Sequence, residues 1–142
     1  NTSAMNQQEV LKSMDQAIQS DRFLYDYHKV QSHYLRGVTL RALGRDSDAV
    51  AEFQWVVKQR PDDYWSYVNL GQLAWQLDKN ASTAEQMFLM AIGLRRDDKW
   101  GLLGLADVYF NTNQKEKAME LYRAVLVIDP EDKVAATRLQ RP

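Results

Sequence analysis

At 142 residues the chain is long enough to bury a core without metals or disulfides, and short enough to be one domain. Eighteen basic and 19 acidic residues leave a net charge of −1, so neither nucleic acid nor an anionic membrane surface is implied as a partner. There is no cysteine, which excludes a disulfide framework and a thiolate metal site while fitting cytoplasmic and extracytoplasmic settings alike.

The opening, NTSAMNQQEV, has no initiator methionine at position 1 and reads as a processed protein or an excised domain. No apolar run approaches the roughly 20 residues a membrane span needs, so no direct membrane insertion is expected, and no signal peptide is visible. Residues 8–22 place Val10, Met14 and Ala17 at i, i+4 and i+7, one face of a helix. The segment FLYDY follows. Amphipathic helices are then expected over 30–44, 64–78 and 99–113, each with a small residue near its middle: Gly37, Gly71 and Ala106. A glycine inside a helix costs about 1 kcal/mol against alanine, so its recurrence points to a partner helix approaching too closely for a side chain. Turn-like stretches at 44–48, 78–82 and 111–115 separate these helices from a second set. That second set carries three matching triads: Ala49, Phe53 and Val56; Ala84, Phe88 and Ala91; Ala118, Tyr122 and Val125. Their leading alanines lie 35 and then 34 residues apart. The aspartate pairs Asp62–Asp63 and Asp97–Asp98 stand where the next helix begins, and carboxylates there cap free N–H groups. Residues 130–140 start like another first helix, with Val134 where a tryptophan stood, and are expected to cover the last repeat's apolar edge.

A helical hairpin recurring in phase at about 34 residues resembles the tetratricopeptide repeat. Repeat one (30–63) carries Gly37, Gly44, Ala49, Phe53 and Pro61, with Arg36 and His33 replacing the usual leucine and tryptophan. Repeat two (64–98) carries Leu70, Gly71, Ala84, Phe88 and Ala91, has one inserted residue near 79–83 and lacks the proline. Repeat three (99–132) carries Leu105, Ala106, Tyr109, Ala118, Tyr122 and Pro130. The resemblance implies an all-α fold, an α-α superhelix or helical-hairpin solenoid of about three repeats. The expected organisation is a single domain over 1–142. A helix or degenerate repeat at 1–29 precedes the three repeats and a capping helix at 133–142 follows them.

No catalytic constellation emerges. His28 and His33 are five apart, off the i+3 and i+4 spacings of a helical ligand pair, so no metal site is expected. The glycines are dispersed and form no phosphate loop, the carboxylates fall at helix starts and turns, and no cofactor is implied. What remains is surface. In the family, first helices line a concave groove that holds a partner's peptide. The matching positions here are Tyr34, Val38 and Arg41; Trp65, Val68, Asn69, Gln72 and Trp75; and Trp100, Leu103, Asp107 and Phe110. Independently of the family, steps of +3, +7 and +10 from Trp65 and from Trp100 trace one helical stripe, opposite the stripe of Tyr67, Leu70, Gly71 and Ala74 that meets the partner helix. Trp75 and Phe110 have two competing roles, groove contact and packing on the next helix. Trp55 is expected to pack between repeats.

The family's carboxylate clamp, which grips an acidic C-terminal peptide, is not expected. Tyr34, Trp100 and Gly104 stand at its basic positions, and only its asparagine, Asn69, is present. An aromatic, nearly neutral groove suits an apolar or amphipathic segment. The reading is therefore a non-enzymatic interaction module, a scaffold or adaptor for a protein or peptide partner. The alternatives are a self-association module giving a homo-oligomer, or a regulatory or substrate-presenting appendage of a larger enzyme or membrane protein. Fold alone does not choose among them.

Overall fold

The computed structural model describes residues 2–19 and 26–140, with side chains for 6–19 and 27–140. Among the described residues there are eight helices and no strands: α1 (Thr2–Gln19), α2 (Asp26–Ala42), α3 (Asp46–Gln59), α4 (Tyr64–Asp78), α5 (Ala81–Leu94), α6 (Lys99–Asn111), α7 (Lys115–Ile128) and α8 (Lys133–Gln140). The fold is an all-α helical repeat. Helix α2 begins four residues before the expected 30, and α1 extends further toward the N-terminus than the expected 8. Most of the FLYDY segment lies outside the described residues. The chain divides into two compact units, residues 1–66 and 67–142, the division falling within α4.

Each hairpin turn holds one residue in the left-handed region: Gly44 (φ 75°), Lys79 (φ 49°) and Asn113 (φ 63°). A left-handed residue there lets a following N–H reach back to an otherwise unpaired helix carbonyl. Arg45 N–H bonds Leu40 C=O and Gln114 N–H bonds Tyr109 C=O, both five residues back. In the middle hairpin Asn80 N–H bonds Ala74 C=O, six back. The extra residue of repeat two therefore sits in this turn, ahead of Asn80, whose side chain then caps α5 by accepting from Thr83 N–H at 3.1 Å.

In the aspartate pairs it is the second member that caps. Asp63 accepts from Ser66 N–H at 3.0 Å and Asp98 from Trp100 N–H at 3.1 Å. Asp132 does the same for α8, accepting from Ala135 N–H at 2.9 Å. Lys99 lies 2.6 Å from Asp129 and 2.9 Å from Asp132, joining the starts of α6 and α8. The two carboxylates hold its ammonium above the ordinary lysine range.

The three triads form the core: all nine residues are buried. In the first unit Phe53 faces Gly37, where a β-carbon would lie 3.0 Å from its ring. In the second, Phe88 is held between two helices. A β-carbon on Gly71 of α4 would be 2.8 Å from its ring, and one on Gly104 of α6 would fall inside the ring's van der Waals surface. Tyr122 and Val125 of α7, Leu102 and Leu105 of α6, and Ala135 of α8 belong to the same cluster. Leu139 of α8 packs against it.

Arg36, at the position where leucine is usual, is the centre of a polar network in the first unit. Its Nε donates to Asp15 of α1 at 2.7 Å, and its Nη1 pairs with Glu52 of α3. Burial works against the guanidinium's charge, but Glu52 and Asp15 outweigh it and hold Arg36 above its ordinary range. The other oxygen of Glu52 lies 2.6 Å from His33 Nδ1. The His33 ring in turn stacks on Trp55, with centroids 3.8 Å apart. His33 is thus a structural partner, and Trp55 packs inside its own hairpin.

Candidate interaction surface

The first helices α2, α4 and α6 place the expected site residues very unequally. Trp65 and Trp100, each on the first turn of its helix, are 37% and 45% exposed. Trp65 meets the buried Tyr64 edge to face at 5.0 Å, and Lys99 Nζ lies 5.1 Å from the Trp100 ring centroid. Val38 is exposed as well, while Tyr34 and Arg41 are half-buried. Tyr34 packs edge to face on Phe53 at 5.8 Å. Its hydroxyl is pushed above the ordinary range by burial and then by Asp63. Burial holds the Arg41 guanidinium below its ordinary range, against the pull of Asp46. Asn69 and Gln72 are half-buried.

Val68 and Leu103, expected on the groove stripe, are instead core residues at 2% and 7% exposure. The physical reason is visible at α6, which packs on both α5 and α7. A helix flanked on two sides buries more than a single stripe, and Gly101, Leu102, Leu103, Leu105, Ala106, Val108 and Tyr109 are all buried. Trp75 and Phe110 are half-buried and pack against the core of the second unit. Lys79 Nζ lies 5.0 Å from the Trp75 ring. The Arg138 guanidinium of α8 lies 4.2 Å from the Phe110 ring, which also meets Tyr122 edge to face at 6.4 Å. Asp107 accepts a 2.5 Å hydrogen bond from the buried Tyr122 hydroxyl, a contact no local pattern announced. On α6 the stripe thus keeps one strongly exposed aromatic, Trp100, and the rest is committed wholly or partly to the protein's own packing.

Two tyrosines of the second unit carry a measurable consequence. Tyr109 donates to Glu85 of α5 at 2.9 Å, and burial followed by this bond pushes its hydroxyl up to about 12. Burial and the bond to Asp107 push Tyr122 up too. An unfolded tyrosine ionises near 10, so between pH 10 and 12 the unfolded chain releases a proton that folded Tyr109 retains. Stability is expected to be complete below pH 10 and to fall by roughly 2–3 kcal/mol from Tyr109 as the pH rises through 12. Denaturant titrations at pH 9 and pH 12 measure it. Tyr109→Phe should flatten the slope, and an unchanged slope would exclude Tyr109 as its source.

Among the described residues no three His, Asp or Glu side chains come together as a metal site, and no helix is long and apolar enough to cross a membrane.

Residues 34–99 and 101–132 match two sequence models, each described as tetratricopeptide repeat. No curated protein matches the sequence. Among solved structures, MamA has 20% identity and a TM-score of 0.80 over 91% of this chain and 72% of its own. The first TPR domain of Spaghetti (RPAP3), bound to the HSP90 peptide SRMEEVD, has 20% identity and a TM-score of 0.77 over 82% of this chain and 91% of its own. The Arabidopsis OM64 TPR domain has 18% identity and a TM-score of 0.75 over 80% and 93% respectively. At these identities the likeness is one of fold.

Proposed function

The chain belongs to the tetratricopeptide-repeat family, and from that premise we propose that it is a non-enzymatic interaction module. It holds an apolar or amphipathic segment of a partner protein in the concave groove that the family's first helices line. The observation that carries this reading is the exposure of Trp65 and Trp100. Leaving a large indole ring in water forgoes apolar burial worth about 1.5–3 kcal/mol, and a partner recovers it on binding. Asn69 and Gln72 supply hydrogen-bonding groups that orient a backbone.

Charge argues against an acidic peptide such as the one bound by the RPAP3 domain. Trp100 follows Asp97 and Asp98, and the neighbouring Lys99 ammonium is already paired with Asp129 and Asp132. An added carboxylate would meet these acids first.

The test is affinity capture with the wild-type protein beside a Trp65→Ala/Trp100→Ala control of equal helicity. Partners should be lost in the control, and each single variant should weaken a captured partner by roughly 10-fold or more. Equal recovery by wild type and control would remove the groove assignment.

A further inference from the structure

The first unit holds a cavity of about 280 Å³ between the start of α2 and the end of α3, lined by Lys29, Val30, Trp55, Gln59 and Arg60. These are not the residues of the first-helix groove. Trp55 and Gln59 belong to α3, Arg60 stands at that helix's C-terminal cap, and neither Trp65 nor Trp100 lines the cavity. Its size lies at the small end of ligand sites, with room for several waters or one small molecule.

Two cations converge on this cavity. The Lys29 ammonium lies 6.0 Å from the Trp55 ring centroid, and the Arg60 guanidinium lies 5.6 Å from that of Tyr27. Among the described residues no carboxylate pairs with either, whereas Arg36, Arg45 and Lys99 are all paired. The acids of the adjoining helices are already engaged: Glu52 of α3 meets both Arg36 and His33, and Asp15 of α1 meets Arg36. Two like charges beside one cavity make its potential positive, and an anion entering it gains charge-assisted hydrogen bonds.

The apolar part of the lining is fixed in advance. Trp55 is half-buried and stacked by the His33 ring at 3.8 Å, and Glu52 holds His33 in turn at 2.6 Å. Val30 is buried. Side chains held in this way lose little freedom when a ligand arrives. We propose that the cavity binds a small organic anion. Arg60 and Lys29 grip its carboxylate or phosphate, and its apolar body lies against Trp55 and Val30. A guanidinium presents parallel N–H donors that match either oxyanion, so both chemistries fit. The proposal is independent of peptide binding at Trp65 and Trp100, which take no part in this site.

Titrations with benzoate, phenyl phosphate and neutral benzamide at constant ionic strength test it. The readout is the NMR signal of the Trp55 indole N–H, assigned from its loss in Trp55→Phe. Benzoate, phenyl phosphate or both should shift this signal along a saturating curve, with a Kd on the order of 1 mM. Whichever binds more tightly identifies the preferred oxyanion. Benzamide, close to benzoate in shape but uncharged, should bind roughly 10-fold more weakly or worse. Arg60 is exposed, so Arg60→Gln should keep helicity and weaken the anions by roughly 10-fold. Lys29→Gln, also at an exposed position, should weaken them several-fold and replaces Arg60→Gln should that variant lose helicity. No saturable shift with either anion would overturn the proposal, as would benzamide binding as tightly as benzoate. So would anion affinities in folded Arg60→Gln and Lys29→Gln that equal those of wild type.

Discussion

Gly104→Ala is expected to destabilise the protein by about 2 kcal/mol, although alanine is the better helix former by about 1 kcal/mol. The added methyl would enter the Phe88 ring, and the ring cannot retreat. It is buried, and Gly71 brings the α4 backbone close to the same ring. Overpacking of this kind costs about 1–3 kcal/mol and sometimes more, enough to reverse the propensity gain. Gly93→Ala supplies the matched control. It lies in the preceding helix, nothing stands within 4 Å of its β-carbon position, and the substitution should stabilise by roughly 0.5–1 kcal/mol. Denaturant unfolding of the two variants should therefore move the midpoint in opposite directions. Phe88→Leu should cost less in the Gly104→Ala background than in wild type, because the smaller side chain yields to the methyl. If Gly104→Ala proves as benign as Gly93→Ala, the grip on Phe88 is looser than its geometry states.

The same clamp marks where sequence reasoning reached and where it stopped. The triads led by Ala49, Ala84 and Ala118 were legible because i, i+4, i+7 spacing survives in any helix that buries one face. Gly37 and Gly71 were legible as close approaches because they recur in phase. Gly104 was not: its counterparts Leu35 and Asn69 are large, so nothing in the repeat distinguishes it from a surface glycine. Val68 and Leu103 were misplaced for a related reason. Stripe reasoning assigns one buried face to a helix, while α6 is packed from two sides. Among the site residues, Trp65 and Trp100 are exposed, whereas Asp107 is bonded to a tyrosine fifteen residues away. Arg36 could be seen only as a departure from the family's leucine, since its partners are 16 and 21 residues distant.

That departure underlies the second large expectation: Glu52→Ala should destabilise the first unit by about 2 kcal/mol. Glu52 is the shared acceptor of Arg36 and His33, and its side chain is only 12% exposed. Its loss would leave the half-buried Arg36 facing one carboxylate, Asp15, which is 45% exposed and correspondingly screened. Much of the cost would come from the stranded partners, since a buried donor without an acceptor forfeits its desolvation energy. Asp15→Asn, at the exposed end, should cost no more than about 0.5 kcal/mol. Glu52→Gln should fall between, keeping shape and an acceptor while losing charge. Hydrogen exchange locates the effect: amides of α1–α3 should lose protection in Glu52→Ala while those of α5–α7 keep theirs. Equal costs for Glu52→Ala and Asp15→Asn would mean that the network adds nothing beyond a surface ion pair. If the larger cost holds, Arg36 with its two carboxylates ties α1 and α3 to α2 beside the apolar contact of the buried Leu11, a polar link at a position where the family usually has leucine.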